Sequence, residues 1–389
     1  MDGSSGPSAP FGDDAILRKA QASLGYADDV SASLIAGLGP DDLSLIALFA
    51  SPEADIAAIS ASLSKTYRGA DIIGCTTAGE IADCGYVSGH VVAVGLPSSL
   101  FAAETIVIEN LAEIDAHDVS ARVMHAQSML KAAHPARLHD FGFLLVDGLS
   151  LREDQVAAAL SSAMGPAPFF GGSAGDGLDF GRTWVLCNDK LYENAAVFSL
   201  VRSACPMKIF KIDHLVPTDT KMVVTGANPE QRIVSEINAE PAAIEYARIL
   251  GKDPGQLSPF VFASHPLLVK IGGQKHVRSI QRVLENGDLV FFSAIDEGVV
   301  LTLADAEDIA GHLEECLDRL AGAEEPVAII ACDCILRRIE AEQSQASSAV
   351  SRIMSSYGVV GFNTYGEQVN GAHVNQTLTG IAIYRPEPT

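Results

Sequence analysis

Basic residues are scarce. Lys and Arg number 26 against 49 Asp and Glu, a formal charge of −23. That balance argues against a phosphate-binding surface, because nucleic-acid affinity rests on cationic side chains neutralising phosphates. Long apolar runs are missing as well. None reaches the roughly 18–20 uninterrupted residues that a bilayer-spanning helix needs, so no membrane partner is expected. The opening MDGSSGPSAPFGDD lacks the basic end and apolar centre of a secretory leader and reads as a flexible tail over residues 1–12. Cysteines are few and scattered, at 75, 84, 187, 205, 316, 332 and 334, an odd set that fits reduced thiols in a cytoplasmic protein. Cys332-x-Cys334 is too tight for the usual zinc spacing, and no matching Cys or His pair stands nearby. His-Glu-x-x-His, a dinucleotide fingerprint and a Cys-x-x-Cys-His haem attachment are all lacking. What remains is a globular composition, 48% hydrophobic and 19% charged over 389 residues, enough for two or three domains.

A recurrence organises the chain. Thr or Ser, any residue, Gly, then Glu or Asp occurs as Thr77-Ala78-Gly79-Glu80, Ser173-Ala174-Gly175-Asp176 and Thr364-Tyr365-Gly366-Glu367. Each copy begins 32 to 37 residues after the start of an apolar run, at Leu43, Phe141 and Val327. A helical segment, a second apolar run, the signature and a third apolar run then follow each time. A supersecondary unit repeated in one context predicts architecture before residue propensities do. The unit reads strand–helix–strand–turn–strand, over about 43–96, 141–201 and 327–384. Strands joined through a helix lie parallel, and the strand after each turn is reached by a short link that suits antiparallel pairing. The expected class is α/β to α+β, with mixed β-sheets covered by helices. AEQSQASSAVSRIMSSY reads as the third unit's single helix. Between 205 and 300 the texture changes: MKIFKIDHL and TKMVVTGA read as a pair of strands, and EPAAIEYARILG as a helix closing on Gly251. SHPLLVKIGG, HVRSIQRVL and DLVFFSAI read as strands between turn signals. A domain boundary is placed near 235, giving domains over 13–235 and 236–389.

Each signature glycine permits positive φ or close backbone approach, and its hydroxyl and carboxylate can cap free backbone N–H groups. The turns are either structural caps at strand ends or the lining of a shared cleft, where α/β folds gather ligands. Phosphate cradling is disfavoured, since each turn carries an acid and none the lysine of a phosphate loop. The stretch Gly361–Gly380 packs Asn363, Tyr365, Gln368, His373 and Asn375 among further polar residues. That density suits a small-molecule pocket, or else a hydrogen-bonded hairpin. His265 precedes Pro266 and is held extended. Arg278 follows a Gly-Gly turn and could offer a buried cation to an anionic ligand. Cys75 lies at a strand–turn junction where a thiol could be exposed, although nothing in sequence supplies the cation that ionises it.

IIGCTTAGEI, FFGGSAGDG, DCILRR (Asp333–Arg338) and VVGFNTYGEQ together resemble the FIST family of bacterial sensory proteins, with its N-terminal and C-terminal domains, over about 40–385. SHPLLVKIGGQKHVRSIQ and NTYGEQVNGAHVNQT are similar to the NosP-type, nitric-oxide-sensing subgroup. The resemblance implies a cytoplasmic, non-enzymatic sensor that holds haem b non-covalently, binds nitric oxide and regulates a histidine kinase or a cyclic-di-GMP synthase or phosphodiesterase. Assembly is left open, a homodimer included. Haem needs an axial His, Cys, Tyr or Met and an apolar slot. Position in the distinctive block ranks His373 first as the iron ligand, then His265, with His276, His214 and His90 behind; Arg278, Tyr365, Asn363, Gln368 and Asn375 complete the expected cofactor set. The alternative is a haem-free FIST module that binds an amino acid or similar small anion through Arg278, Asn363, Gln368 and Asn375. The third reading is an enzyme using the Cys75 thiol or the acids Glu80, Asp176 and Glu367.

Overall fold

The computed structural model describes residues 16–271, 273–322 and 324–386; the tail expected over 1–12 lies outside the described residues. The three units form three six-stranded mixed sheets. In each, the two strands joined by a helix are parallel: Leu43–Ala50 with Asp71–Thr76, His139–Val146 with Phe169–Ser173, and Ala328–Cys334 with Val359–Thr364. The closing strands His90–Pro97, Ala196–Ser203 and Leu378–Ile383 return antiparallel to the first strand of their own unit. A further strand (Arg18–Ser23, Phe101–Ile108 or Met207–Ile212) pairs antiparallel with each closing strand. The fold is the mixed α/β architecture that the repeat predicts.

The hairpin after each signature leaves its own unit. Glu80–Ala82 and Gly85–Val87 of the first unit extend the third sheet, through pairing with Val359–Thr364. Val185–Cys187 and Lys190–Tyr192 of the second extend the first sheet, beside Asp71–Thr76. Glu367–Val369 and Ala372–Val374 of the third extend the second sheet, beside Phe169–Ser173. The exchange is cyclic, and it closes a ring in which every unit covers an edge of the next. Covered edges are protected from pairing with other chains.

Strand alternation then decides the core. Leu45, Ala47 and Phe49 face a common centre, while Ile46, Leu48 and Ala50 face outward onto the helices Ala27–Leu38 and Ile56–Thr66. Both faces are buried, so the strand reads as the continuous run LSLIALFA. Aromatic rings from the three sheets meet at that centre: Phe49 stacks on Phe362 at 4.7 Å between centroids, Phe143 stacks on Phe170 at 4.7 Å, and Phe49 meets Phe143 edge-on at 6.2 Å. Truncating one such ring to alanine costs about 3–5 kcal/mol.

Residues 215–306, between the second and third units, form a separate sheet with two short helices, Ala242–Leu250 and Pro259–Ser264. Gly251 ends the first of these with φ +65°, as its C-terminal position predicts. Two expectations are corrected here. Met207–Ile212 and Leu215–Asn228 do not pair; the first belongs to the third sheet and the second to the inserted sheet. The helix expected over AEQSQASSAVSRIMSSY is two helices, Ile335–Gln343 and Ser347–Ser356, separated at Gln345 with φ +57°. The boundary expected near 235 falls within the strand Ile233–Ile237, whose partners Leu215–Asn228 and Leu289–Phe291 lie on either side of it in sequence. No described helix is long and apolar enough to cross a membrane.

Candidate functional site

The three signatures meet at one junction. Ala78 N–H donates to the Asn363 carbonyl at 2.9 Å and Asn363 N–H to the Gly79 carbonyl at 2.7 Å. Gly175 N–H reaches the Thr76 carbonyl at 2.9 Å, and Ser173 N–H the Gly366 carbonyl at 2.8 Å. Glycine is needed for the approach. Gly79 has φ +136°, and a side chain on Gly175 would sit 2.9 Å from the Ala78 backbone nitrogen.

Within each turn the hydroxyl and acid fasten the chain. Thr77 Oγ1 donates to Glu80 at 2.6 Å, and Glu80 accepts from His90 N–H, which opens the closing strand. Thr364 Oγ1 donates to Glu367 at 2.5 Å, and Glu367 accepts from Thr377 N–H at 3.2 Å and Oγ1 at 2.7 Å. Asp176 departs from this pattern. It accepts from the N–H groups of Phe180, Gly181 and Arg182, and from the Tyr365 hydroxyl. Burial pushes Glu367 up to about 8 and raises Glu80, against their hydroxyl donors. The turns are therefore caps packed against one another, and none of the cavities described below is walled by all three; the shared cleft expected between them is replaced by direct backbone contact.

The polar block around 361–380 is buried except at the hairpin tip over 369–372, where Asn370 is exposed. It forms the interface between the ring and the inserted sheet. His373 Nε2 meets the Phe292 carbonyl at 3.1 Å, its Nδ1 meets Gln368 Nε2 at 3.1 Å, and burial lowers its pKa. A neutral ring donating from Nε2 and accepting at Nδ1 satisfies both contacts. Ser293 donates to Asn375 at 2.7 Å, Ser279 to Gln376 at 3.1 Å, and Gln376 to the Ala263 carbonyl at 2.8 Å. Asn363 accepts from Arg338, which also holds the Val87 carbonyl and Ser88 hydroxyl, so the second arginine of DCILRR clamps the first hairpin onto the third sheet. Tyr365 is buried against Phe180 and Phe292, its hydroxyl on Asp176, and burial raises its pKa.

His373 is not free to hold a haem iron in this arrangement. Both nitrogens of His373 are engaged and the ring is 3% exposed. His265 gives Nδ1 to the Val261 carbonyl; His214 is buried between Arg337 at 2.7 Å and Glu340 at 2.5 Å; His90 holds Ser23 and Ser88. The walls of four cavities among the described residues carry no histidine, cysteine, methionine or tyrosine. Cys75 is also corrected. It is wholly buried, and burial, with Glu80 nearby, pushes its thiol well above the usual value, so no reactive thiolate faces solvent there.

Arg278 is the expected residue that does line a cavity. This space, about 710 Å³, lies on the inserted sheet. Leu268, Val269, Ile295 and Val299 give it apolar walls, and Lys221, Lys270, Lys275 and Arg278 give it cations beside Asp219 and Asp296. Burial lowers the Arg278 pKa, and its Nη1 contacts only the Val277 carbonyl, at 3.1 Å. His276, on the same strand, is not among the lining residues. The three lysines were not singled out from sequence, although basic residues crowding TKMVV and LLVKIGGQKHVR in an acidic chain were the available sign.

No curated protein matches the chain. Residues 44–240 match the FIST N domain and residues 242–370 the FIST C domain. The chain belongs to the FIST family, whose domains are small-ligand sensory domains.

Proposed function

We propose that this chain is the ligand-binding element of a sensor that takes a zwitterionic or anionic metabolite of the amino-acid type in the Arg278 cavity. One observation carries the reading: four cations and two carboxylates share an apolar-walled space in a chain of net charge −23. The cations suit a carboxylate, Asp219 and Asp296 suit an ammonium, and the apolar walls suit a hydrocarbon side chain. Arg278 is half-buried, so its attraction to an anion is screened less than that of a fully exposed cation. The ligand state would pass to a partner signalling enzyme, a histidine kinase or a cyclic-di-GMP enzyme, through the inserted sheet and the polar block that seats it on the ring.

A thermal-shift screen with the twenty amino acids and with haem tests this. An amino acid should raise the melting temperature with concentration, by about 2.7 kcal/mol of added stability at a hundredfold excess over Kd. Arg278→Ala should remove the effect. No response to any amino acid, together with a Soret band on haem addition that His373→Ala abolishes, would replace this reading with a haem and nitric-oxide sensor.

A further inference from the structure

We propose that the cleft between the ring and the inserted sheet is a second ligand site, for a compact organic monocarboxylate with an apolar or aromatic body. The cleft holds about 300 Å³ and is lined by Leu149, Leu151 and Phe180 from the ring, by Arg232, and by Arg282 and Phe292 from the inserted sheet. It is separate from the Arg278 cavity, with which it shares no lining residue.

Three observations carry the assignment. The first is position. Leu149 and Leu151 follow the C-terminal end of the parallel strand His139–Val146, the end where α/β sheets gather ligands. Both family halves contribute walls, and junctions between domains are favoured places for small-molecule sites.

The second is backbone strain. Six described residues other than Gly and Asn hold φ in the left-handed region: Leu151 at +58°, Phe180 at +49°, Arg232 at +56°, Ala239, Gln345 and Gln376. Half of them line this one cleft. Strain of this kind is costly and clusters at ligand clamps.

The third is an orphan donor. Arg232 is 2% exposed; its Nη1 donates to the Phe292 carbonyl and its Nη2 to Glu153, but Nε has no partner. A buried N–H without an acceptor is destabilising and calls for an explanation. A carboxylate oxygen in the cleft supplies one. Glu153 already balances the Arg232 charge, so the ligand's own charge falls to Arg282, an exposed cation on the cleft wall. Phe180 and Phe292, both on the cleft wall with centroids 5.9 Å apart, give a flat apolar body a matching surface, and behind them both rings rest on Tyr365 of the third signature.

Calorimetric titration with phenylacetate, and with phenylacetamide as the uncharged control, tests the site. Phenylacetate should saturate the wild-type protein, and phenylacetamide should bind at least tenfold more weakly. Arg282→Gln, at an exposed position that the fold does not need, should weaken phenylacetate at least tenfold. Leu149→Trp should block it by filling the cleft, while Arg278→Gln should leave it unchanged. No saturation by phenylacetate overturns the proposal, and so does wild-type affinity in both Arg282→Gln and Leu149→Trp. Loss of binding in Arg278→Gln would move the ligand to the other cavity and likewise overturn it.

Discussion

Replacing Glu367 with glutamine should remove a pH dependence of stability that the wild type carries. Glu367 is fully buried at the junction of the three turns, with Asp333 among the charges acting on it, and burial raises it from 4.5 to about 8. Below about 4.5 the folded and unfolded chains both hold the proton, and the folded state has its full advantage. As pH rises from there the unfolded chain releases its proton first, and stability falls by about 1.4 kcal/mol per unit until the folded-state value is passed. The ceiling over that window is roughly 5 kcal/mol. An effective interior dielectric near 20 reduces the expected difference to about 2–3 kcal/mol. Glutamine reproduces the neutral acid: its carbonyl accepts from Thr377 and its amide donates to the Thr364 hydroxyl. Glu80 and Asp147 are raised by burial too, but they titrate alike in both proteins and cancel in the comparison. Urea unfolding of wild type and Glu367→Gln at half-unit steps from pH 5 to 8 provides the assay. Stability curves that separate towards pH 8, the wild type falling below the variant, support the reasoning. Parallel curves, or a wild type that gains stability relative to the variant, refute it.

Further outcomes follow from the same geometry. Gly366→Ala should cost about 1–3 kcal/mol, because the added methyl collides with His373 Cε1 and sits 3.0 Å from Asn375 Nδ2; an unchanged urea midpoint would contradict that packing. Tyr86→Phe should cost about 1–3 kcal/mol, since it removes the hydroxyl that the first hairpin gives to buried Asp333 on the third sheet. In the native protein a disulfide-exchange reagent should label exposed Cys84 quickly and leave Cys75, Cys332 and Cys334 untouched until unfolding. Equal rates at Cys84 and Cys75 would mean that the strand end is open. Arg278→Ala should weaken the amino-acid-type ligand by 10- to 100-fold, the worth of a charge-assisted hydrogen bond of about 1.5–3 kcal/mol.

The fold was legible where a local pattern carries long-range meaning. Apolar runs such as LSLIALFA, repeated around a helix, reported strands buried on both faces, and the short link after each signature reported antiparallel return. The hairpin exchange left no mark: EIADCGYV reads the same whichever sheet it joins, and the converging glycines, the Arg338 clamp and the Tyr86–Asp333 contact act only in the folded chain. The amides around His373 were read correctly as a dense polar cluster. Their partners Phe292, Ser293 and Ser279 lie 80 to 100 positions away in sequence, so nothing local distinguished a buried seam from a pocket. Arg278 was visible as a cation after a tight turn, whereas Lys221 reaches the same cavity from another strand. Arg232 carried no sequence sign at all, since its left-handed backbone and unpaired Nε exist only in the folded chain.

Hydrogen–deuterium exchange, with and without the amino acid that most stabilises the protein, tests most directly where the ligand sits. Protection should rise over 217–221, 268–270, 275–278 and 294–302, the segments that wall the Arg278 cavity, with little change over 361–380. Protection confined to 361–380, or none in the cavity segments, would contradict it.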